Sequence, residues 1–300
     1  MPRWFLSTRV HSVGGPVGPV KILDADRPGL VRDLTKELLD AVQGRNVLFG
    51  THGFEVNQAD GISHLTYWFN NLQLGNTVPV GILWPGDCII PIAVDYVWEG
   101  SEAITTGNLL AGFLNANFTG AVGLSFASHS LGARVVLQTI RGLKNLDVRR
   151  VLLMAGAIDD DCLSQEYADV ISKIGEISIL ASLKDDVLAF AFPLGNPLQR
   201  LIDHSHPYFR NALGRRGPAS PYPSSPPLQS DWQIPQNLDY GHHDYLPGQP
   251  LPCGYTSPVD IPPGNGPIPP VTTPLPLAGD AKLWKPAWSA AFASTRYQRP

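Results

Sequence analysis

Apolar positions along most of this chain follow two rhythms, one helical at three- and four-residue spacing and one of short unbroken runs. Trp4 to Leu23 alternates with a break at Gly14-Gly15-Pro16, which predicts one or two edge strands. Leu30, Val31, Leu34, Leu38, Leu39 and Val42 predict a helix from Arg27 to Gln43 that stops at Gly44. Asn46 to Gly50 reads as a buried strand, and Thr51-His52-Gly53-Phe54 follows it. A helical stretch then reaches Leu72, and a strand spans Val78 to Leu83, ahead of Trp84-Pro85-Gly86-Asp87. The segment onward to Trp98 is apolar but poorly periodic, and Ser101 is placed to cap a helix reaching Asn115. Strands are predicted again at Ala121 to Ala127, Val148 to Ala155 and Ile174 to Leu180.

Strand and helix therefore alternate, which predicts an α/β protein with a mostly parallel central sheet and helices on both faces. Ligands of such sheets bind beyond the carboxyl ends of the strands. Four polar clusters fall at or near such ends: His52-Gly53-Phe54, Ser130, Asp185-Asp186 and His242-His243.

Between 217 and 276 proline, glycine and serine dominate and helical periodicity vanishes. Tryptophan, tyrosine and leucine are scattered through it, so it reads as an irregular C-terminal wrap, with Trp232 to Tyr240 as a last strand and Lys282 to Ala293 as a final helix. No repeat or second domain is visible, and residues 1–300 are expected to form a single domain. A formal net charge of -4 disfavours nucleic acid as a partner. Cys88, Cys162 and Cys253 are odd in number and widely spaced, which fits neither a disulfide framework nor a zinc site. No metal or other cofactor is expected. The opening residues lack a signal-peptide core and no apolar run has bilayer length, so a cytoplasmic protein without stable membrane insertion is expected.

The densest chemical signal lies in Ala121 to Ile140, AVGLSFASHSLGARVVLQTI. An apolar strand gives way within five residues to a helix whose apolar face holds Val135, Val136, Thr139 and Ile140. So sharp a turn leaves one side chain at its apex, here Ser130, in front of a helix N-terminus that favours negative charge. Ser128, Gly132 and Ala133 are small enough to let the helix return close to the strand. The plainer reading makes Ser128 or Ser130 a helix cap. A serine nucleophile needs an adjacent base, and the base needs an orienting group. Histidine suits the base, its pKa lying near neutrality.

Ser128-His129-Ser130-Leu131-Gly132 resembles the nucleophile elbow of the α/β-hydrolase superfamily, G-x-S-x-G, with serine in place of the first glycine. Together with Gly50-Thr51-His52-Gly53-Phe54, Trp84-Pro85 and Asp185-Asp186-Val187-Leu188, it is similar to bacterial α/β-hydrolases of unknown function related to serine esterases. The resemblance covers roughly 47–246. It implies the chain order nucleophile, acid, histidine. Ser130 is then the nucleophile. Asp185 is the acid, with Asp186 and Asp159 to Asp161 as alternatives. His242 is the base, in a Gly-His-x-Asp-Tyr pattern, with His243 as the neighbouring alternative, expected to point outward or pack on the wrap. The backbone N–H groups of Phe54 and Leu131 are the implied oxyanion donors, and His52 fixes the loop that carries Phe54.

The expected activity is hydrolysis of a small-molecule carboxylic ester through an acyl-enzyme. Amidase, thioesterase or acyltransferase chemistry uses the same residues, and a non-catalytic binding protein uses the same fold. Cys88 to Trp98 and Phe192 to Leu213 are the candidate lids.

Overall fold

The computed structural model describes residues 4–26, 33–70, 72, 74–87, 92–189, 210–220, 233–234, 236 and 240–245, with the backbone alone over 92–99. Seven strands form one sheet: β1 Trp4–Arg9, β2 Val17–Asp24, β3 Asn46–Thr51, β4 Thr77–Leu83, β5 Gly123–His129, β6 Val148–Met154 and β7 Ile174–Leu180. Their order is β2-β1-β4-β3-β5-β6-β7. β2 pairs antiparallel with β1, and every other pair is parallel. Among the described residues four helices of two turns or more accompany them: α1 Thr35–Val42, α2 Gln58–Asn70, α3 Ile92–Asn117 and α4 Gly132–Gly142.

The order of strands locates the functional end. The chain leaves β3 through α2 to β4 on one side, and leaves β5 through α4 to β6 on the other. β3 and β5 are neighbours, so the loops after them diverge and open a crevice at their carboxyl ends. Thr51-His52-Gly53-Phe54 leaves one of these strands and Ser130 leaves the other. Beneath the crevice Phe49 of β3 stacks on Phe126 of β5 with centroids 5.0 Å apart, a rigid floor for both loops.

β5, β6 and β7 each end in four buried residues, the unbroken apolar pattern of strands covered on both faces. Near the starts of β6 and β7 the half-buried Arg150 and Glu176 pair at 3.2 Å. α4 is buried from Gly132 to Ile140, on more than the one apolar face its sequence shows, because α3 and the turns of 162–171 pack around it. Its polar residues find partners there: Gln138 donates to Asn108 at 2.8 Å, and Arg134 pairs with Glu166.

Several sequence expectations need correction. Of the first two strands, β2 alone lies at an edge of the sheet. β1 lies inside the sheet with all six residues buried. α3 begins at Ile92, so Ser101 lies within it and does not cap it. The stretch ahead of Ser101, IAVDYVW, is apolar nearly all round and so shows no helical period. The described helix α1 starts at Thr35, and 27–32 lie outside the described residues. Within Trp232 to Tyr240, the described residues form one parallel bridge, Gln233 to Ala181, and not a strand. The candidate lid residues 88–91 and 192–209, nearly all of the proline-rich wrap, and Lys282 to Ala293 also lie outside them.

Candidate active site

Ser130 stands between β5 and α4 at φ +52°, a left-handed conformation that costs a residue with a side chain on the order of 1–3 kcal/mol. Backbone bonds hold it there. Its N–H donates to Met154 O at 3.0 Å, and its carbonyl accepts from Ala133 and Ala157 at 3.1 Å each. α4 has no side-chain cap, so neither Ser128 nor Ser130 serves that purpose. Ser128 is a buried β5 residue whose hydroxyl lies 3.5 Å from Leu152 O. Gly132 is the small residue that matters most, since a Cβ there would come within 2.5 Å of His52 O. The tight elbow thus brings the start of α4 against the loop after β3.

Ser130 Oγ lies 2.9 Å from His242 Nε2, and His242 Nδ1 lies 2.8 Å from Asp185 Oδ2. The carboxylate can only accept, so Nδ1 carries the hydrogen and Nε2 of the neutral ring accepts the serine hydroxyl. All three side chains are buried, Asp185 completely. The nucleophile candidate, base candidate and acid candidate therefore form one row across 112 residues of sequence.

The alternatives fall elsewhere. Asp186 is exposed. Asp185 itself caps the helical turn at 186–189, its Oδ1 accepting from Leu188 N–H at 2.9 Å. Asp161 binds Arg210 at 2.7 Å, and Asp160 binds the backbone of 211 and 219, which fastens that segment to the loop after β6. His243 does not point outward. Residues 242–245 turn instead of extending, and its ring sits 5.3 Å from that of His242 and 6.4 Å from that of His129. Burial lowers its pKa to about 4, with the neighbouring His242 acting in the same direction. Burial first, and His242 second, also keeps His129 far below its usual value. Neither neighbour carries charge near neutral pH.

The loop after β3 is held from its other side. His52 Nδ1–H donates to Gly53 O at 2.8 Å, while Nε2 accepts from Trp84 N–H at 3.3 Å. Trp84 stacks on His52 at 5.7 Å and returns its indole N–H to His52 O at 3.1 Å. Complete burial lowers the His52 pKa to about 3, so it stays neutral in this bracket. A trans peptide points its C=O and its N–H in opposite directions, so drawing Gly53 O toward His52 turns the Phe54 N–H away from it. That N–H, and the Leu131 N–H at the head of α4, donate to no atom among the described residues. Gly53 packs directly on the elbow, where a Cβ would lie 2.7 Å from Ser130 Cβ.

Trp84 is fixed in turn by Arg9, which sequence reasoning missed. This β1 arginine donates to Trp84 O at 2.6 Å and to Val56 O at 3.2 Å, and pairs with Asp87. A single charged residue ending an otherwise uncharged strand is the only sign the sequence carries. Among the described residues no group of three or more His, Cys, Asp or Glu side chains is arranged to hold a metal, and no helix is long and apolar enough to cross a membrane.

A parallel sheet with an antiparallel edge, a strained serine at a strand–helix turn and an acid after a later strand define an α/β-hydrolase. The chain belongs to the family of α/β-hydrolases of unknown function designated DUF900, whose sequence profile matches residues 30–221. The match includes Phe54, Ser130, Leu131 and Asp185 and ends before His242. No curated protein matches the chain significantly.

Proposed function

We propose that this hydrolase cleaves small carboxylic esters through an acyl-enzyme, with Ser130 as nucleophile, His242 as base and then acid, and Asp185 as the group that orients the imidazole. The observation that carries the reading is the row Ser130–His242–Asp185, joined at 2.9 and 2.8 Å with the tautomer the chemistry requires. His242 Nε2 takes the hydroxyl proton as Oγ bonds to the carbonyl carbon, and the carbonyl oxygen becomes an oxyanion. The N–H groups of Phe54 and Leu131 receive that charge. The imidazolium, stabilised by Asp185, returns the proton to the departing alkoxide. Water, deprotonated by the same ring, then hydrolyses the acyl-serine and restores the hydroxyl.

The test is labelling with a fluorophosphonate, followed by turnover on a chain-length series of nitrophenyl esters beside matched anilides and thioesters. Wild type is expected to label at Ser130 and to turn over the short esters fastest. Ser130→Ala and His242→Ala are expected to lose turnover by on the order of a thousandfold or more. His243→Ala should stay within about tenfold. Preference for anilides, thioesters or an acyl acceptor other than water would move the substrate class and keep the residues. A wild-type chain that neither labels nor turns over would be a binding protein on this fold.

A further inference from the structure

His129, the residue before Ser130, is buried at the end of β5 and takes no part in the row of three. Its ring centroid lies 4.8 Å from that of His242, but its hydrogen bond goes to the main chain. Nε2–H donates to His242 O at 2.7 Å. A carbonyl only accepts, so this fixes the tautomer and leaves Nδ1 without a partner. A second donor acts two residues earlier. Ser182, just after β7, gives its hydroxyl hydrogen to Tyr240 O at 2.6 Å. Between and beyond them Gly241 N–H donates to Asp244 Oδ2 at 2.8 Å, which closes the turn on itself. Among the described residues, no backbone ladder joins 240–245 to the sheet. The loop's two carbonyls are thus held by side chains from the elements that carry Ser130 and Asp185.

We propose that His129 and Ser182 are positioning residues, a two-point clamp on the Tyr240 and His242 carbonyls that sets the reach of the His242 imidazole to Ser130. The proposal rests on the reading of His242 as base. An imidazole pinned only through its own ring is free to swing with its main chain, and proton transfer loses efficiency steeply with misplacement on the ångström scale. Two tethers at alternate residues stop both translation and rotation of the segment. They also satisfy two carbonyls that the enclosing residues would otherwise strand.

The test measures kcat and KM on a short nitrophenyl ester for His129→Phe, His129→Gln and Ser182→Ala, each made with His242 intact and with His242→Ala. Glutamine places its Nε2 near the position of the histidine Nε2 and can still donate. With His242 intact, His129→Phe and Ser182→Ala are expected to lose on the order of 10- to 100-fold in kcat with KM within about twofold. His129→Gln should recover to within about threefold of wild type. With His242→Ala, neither substitution should lower the residual rate further, because the clamp acts through the base alone. Wild-type kcat in folded His129→Phe and in Ser182→Ala would overturn the clamp, as would an equal loss in both backgrounds. If His129→Phe does not fold, Ser182→Ala and the recovery in His129→Gln decide. Wild-type turnover in His242→Ala itself would remove the base, and the clamp would fall with it.

Discussion

Asp185 Oδ1 accepts the N–H of Leu188 at 2.9 Å while its Oδ2 accepts Nδ1–H of His242 at 2.8 Å, so one carboxylate serves a helix end and an imidazole at once. The two duties are separable by substitution. Asparagine keeps an oxygen for the Leu188 N–H but presents an amide N–H₂ to His242 or forces the wrong tautomer. Alanine removes both bonds.

Asp185→Asn is therefore expected to lose on the order of 10⁴-fold in kcat with little change in thermal midpoint. Asp185→Ala should lose as much activity and, in addition, about 1 kcal/mol of stability from the missing cap. Asp186→Asn, at an exposed position, should match wild type in both. Steady-state kinetics and calorimetry on the three variants separate these outcomes. An active Asp185→Asn would move the acid to another residue.

Gly53→Ala places a methyl group 2.7 Å from Ser130 Cβ and 3.0 Å from His129 Nδ1. The elbow is braced by three backbone bonds, so the loop bearing Phe54 is the partner that yields. Removing one oxyanion donor from register should cost about 10²- to 10³-fold in kcat. Labelling by a fluorophosphonate should slow in parallel, since its attack also develops charge on oxygen. Undiminished turnover would show that the Phe54 N–H is not a donor.

The protein should lose stability steadily in acid. His52, His64 and His243 have folded-state pKa values lowered from 6.5 to about 3, 4 and 4, each chiefly by burial. Below pH 6.5 the unfolded chain binds protons that the folded one refuses, so the stability is complete above that pH and drains as pH falls toward 4 and 3. Each such group contributes a slope of about 1.4 kcal/mol per pH unit inside its window. Urea unfolding from pH 7 to pH 4 should show the decline, and His64→Gln should flatten it by the share of one proton. A stability independent of pH across this range would contradict the neutral burial of these rings. Activity should respond differently. With His129 and His243 held neutral by burial, neither is expected to add a limb to the pH profile of kcat/KM between about pH 6 and pH 8.

Arg9 and Asp87 are buried together, and Asp87 also accepts from Gly14 N–H at 2.7 Å. Asp87→Ala leaves the guanidinium enclosed without its counter-charge, an imbalance worth about 3–5 kcal/mol. A large drop in the urea midpoint is expected. Because Arg9 also holds the Trp84 carbonyl, the surviving folded fraction should show reduced kcat. An unchanged midpoint would mean that water or rearrangement neutralises Arg9 at no cost.

The sequence by itself determined what is local. The change from apolar run to helical period around Ser130 specifies the elbow within a dozen residues, because strand, turn and helix are each set by near neighbours. The strands that end before His52 and before Asp185 were legible for the same reason, and with them the α/β class. Contacts between distant residues required the tertiary structure. Nothing in the spacing states that β1 lies inside the sheet and β2 at its edge, since both read as short apolar strands and only pairing with β4 separates them. Histidines 242 and 243 differ by one position, and only the turn at 242–245, tied by His129 and Ser182, aims the first at Ser130 and packs the second beside it. The Arg9–Trp84–His52 bracket behind Phe54 joins three elements across 75 residues, and three of its bonds run to backbone carbonyls that any residue supplies. Such bonds leave no mark on residue type at the accepting end, which is why the fold had to reveal them.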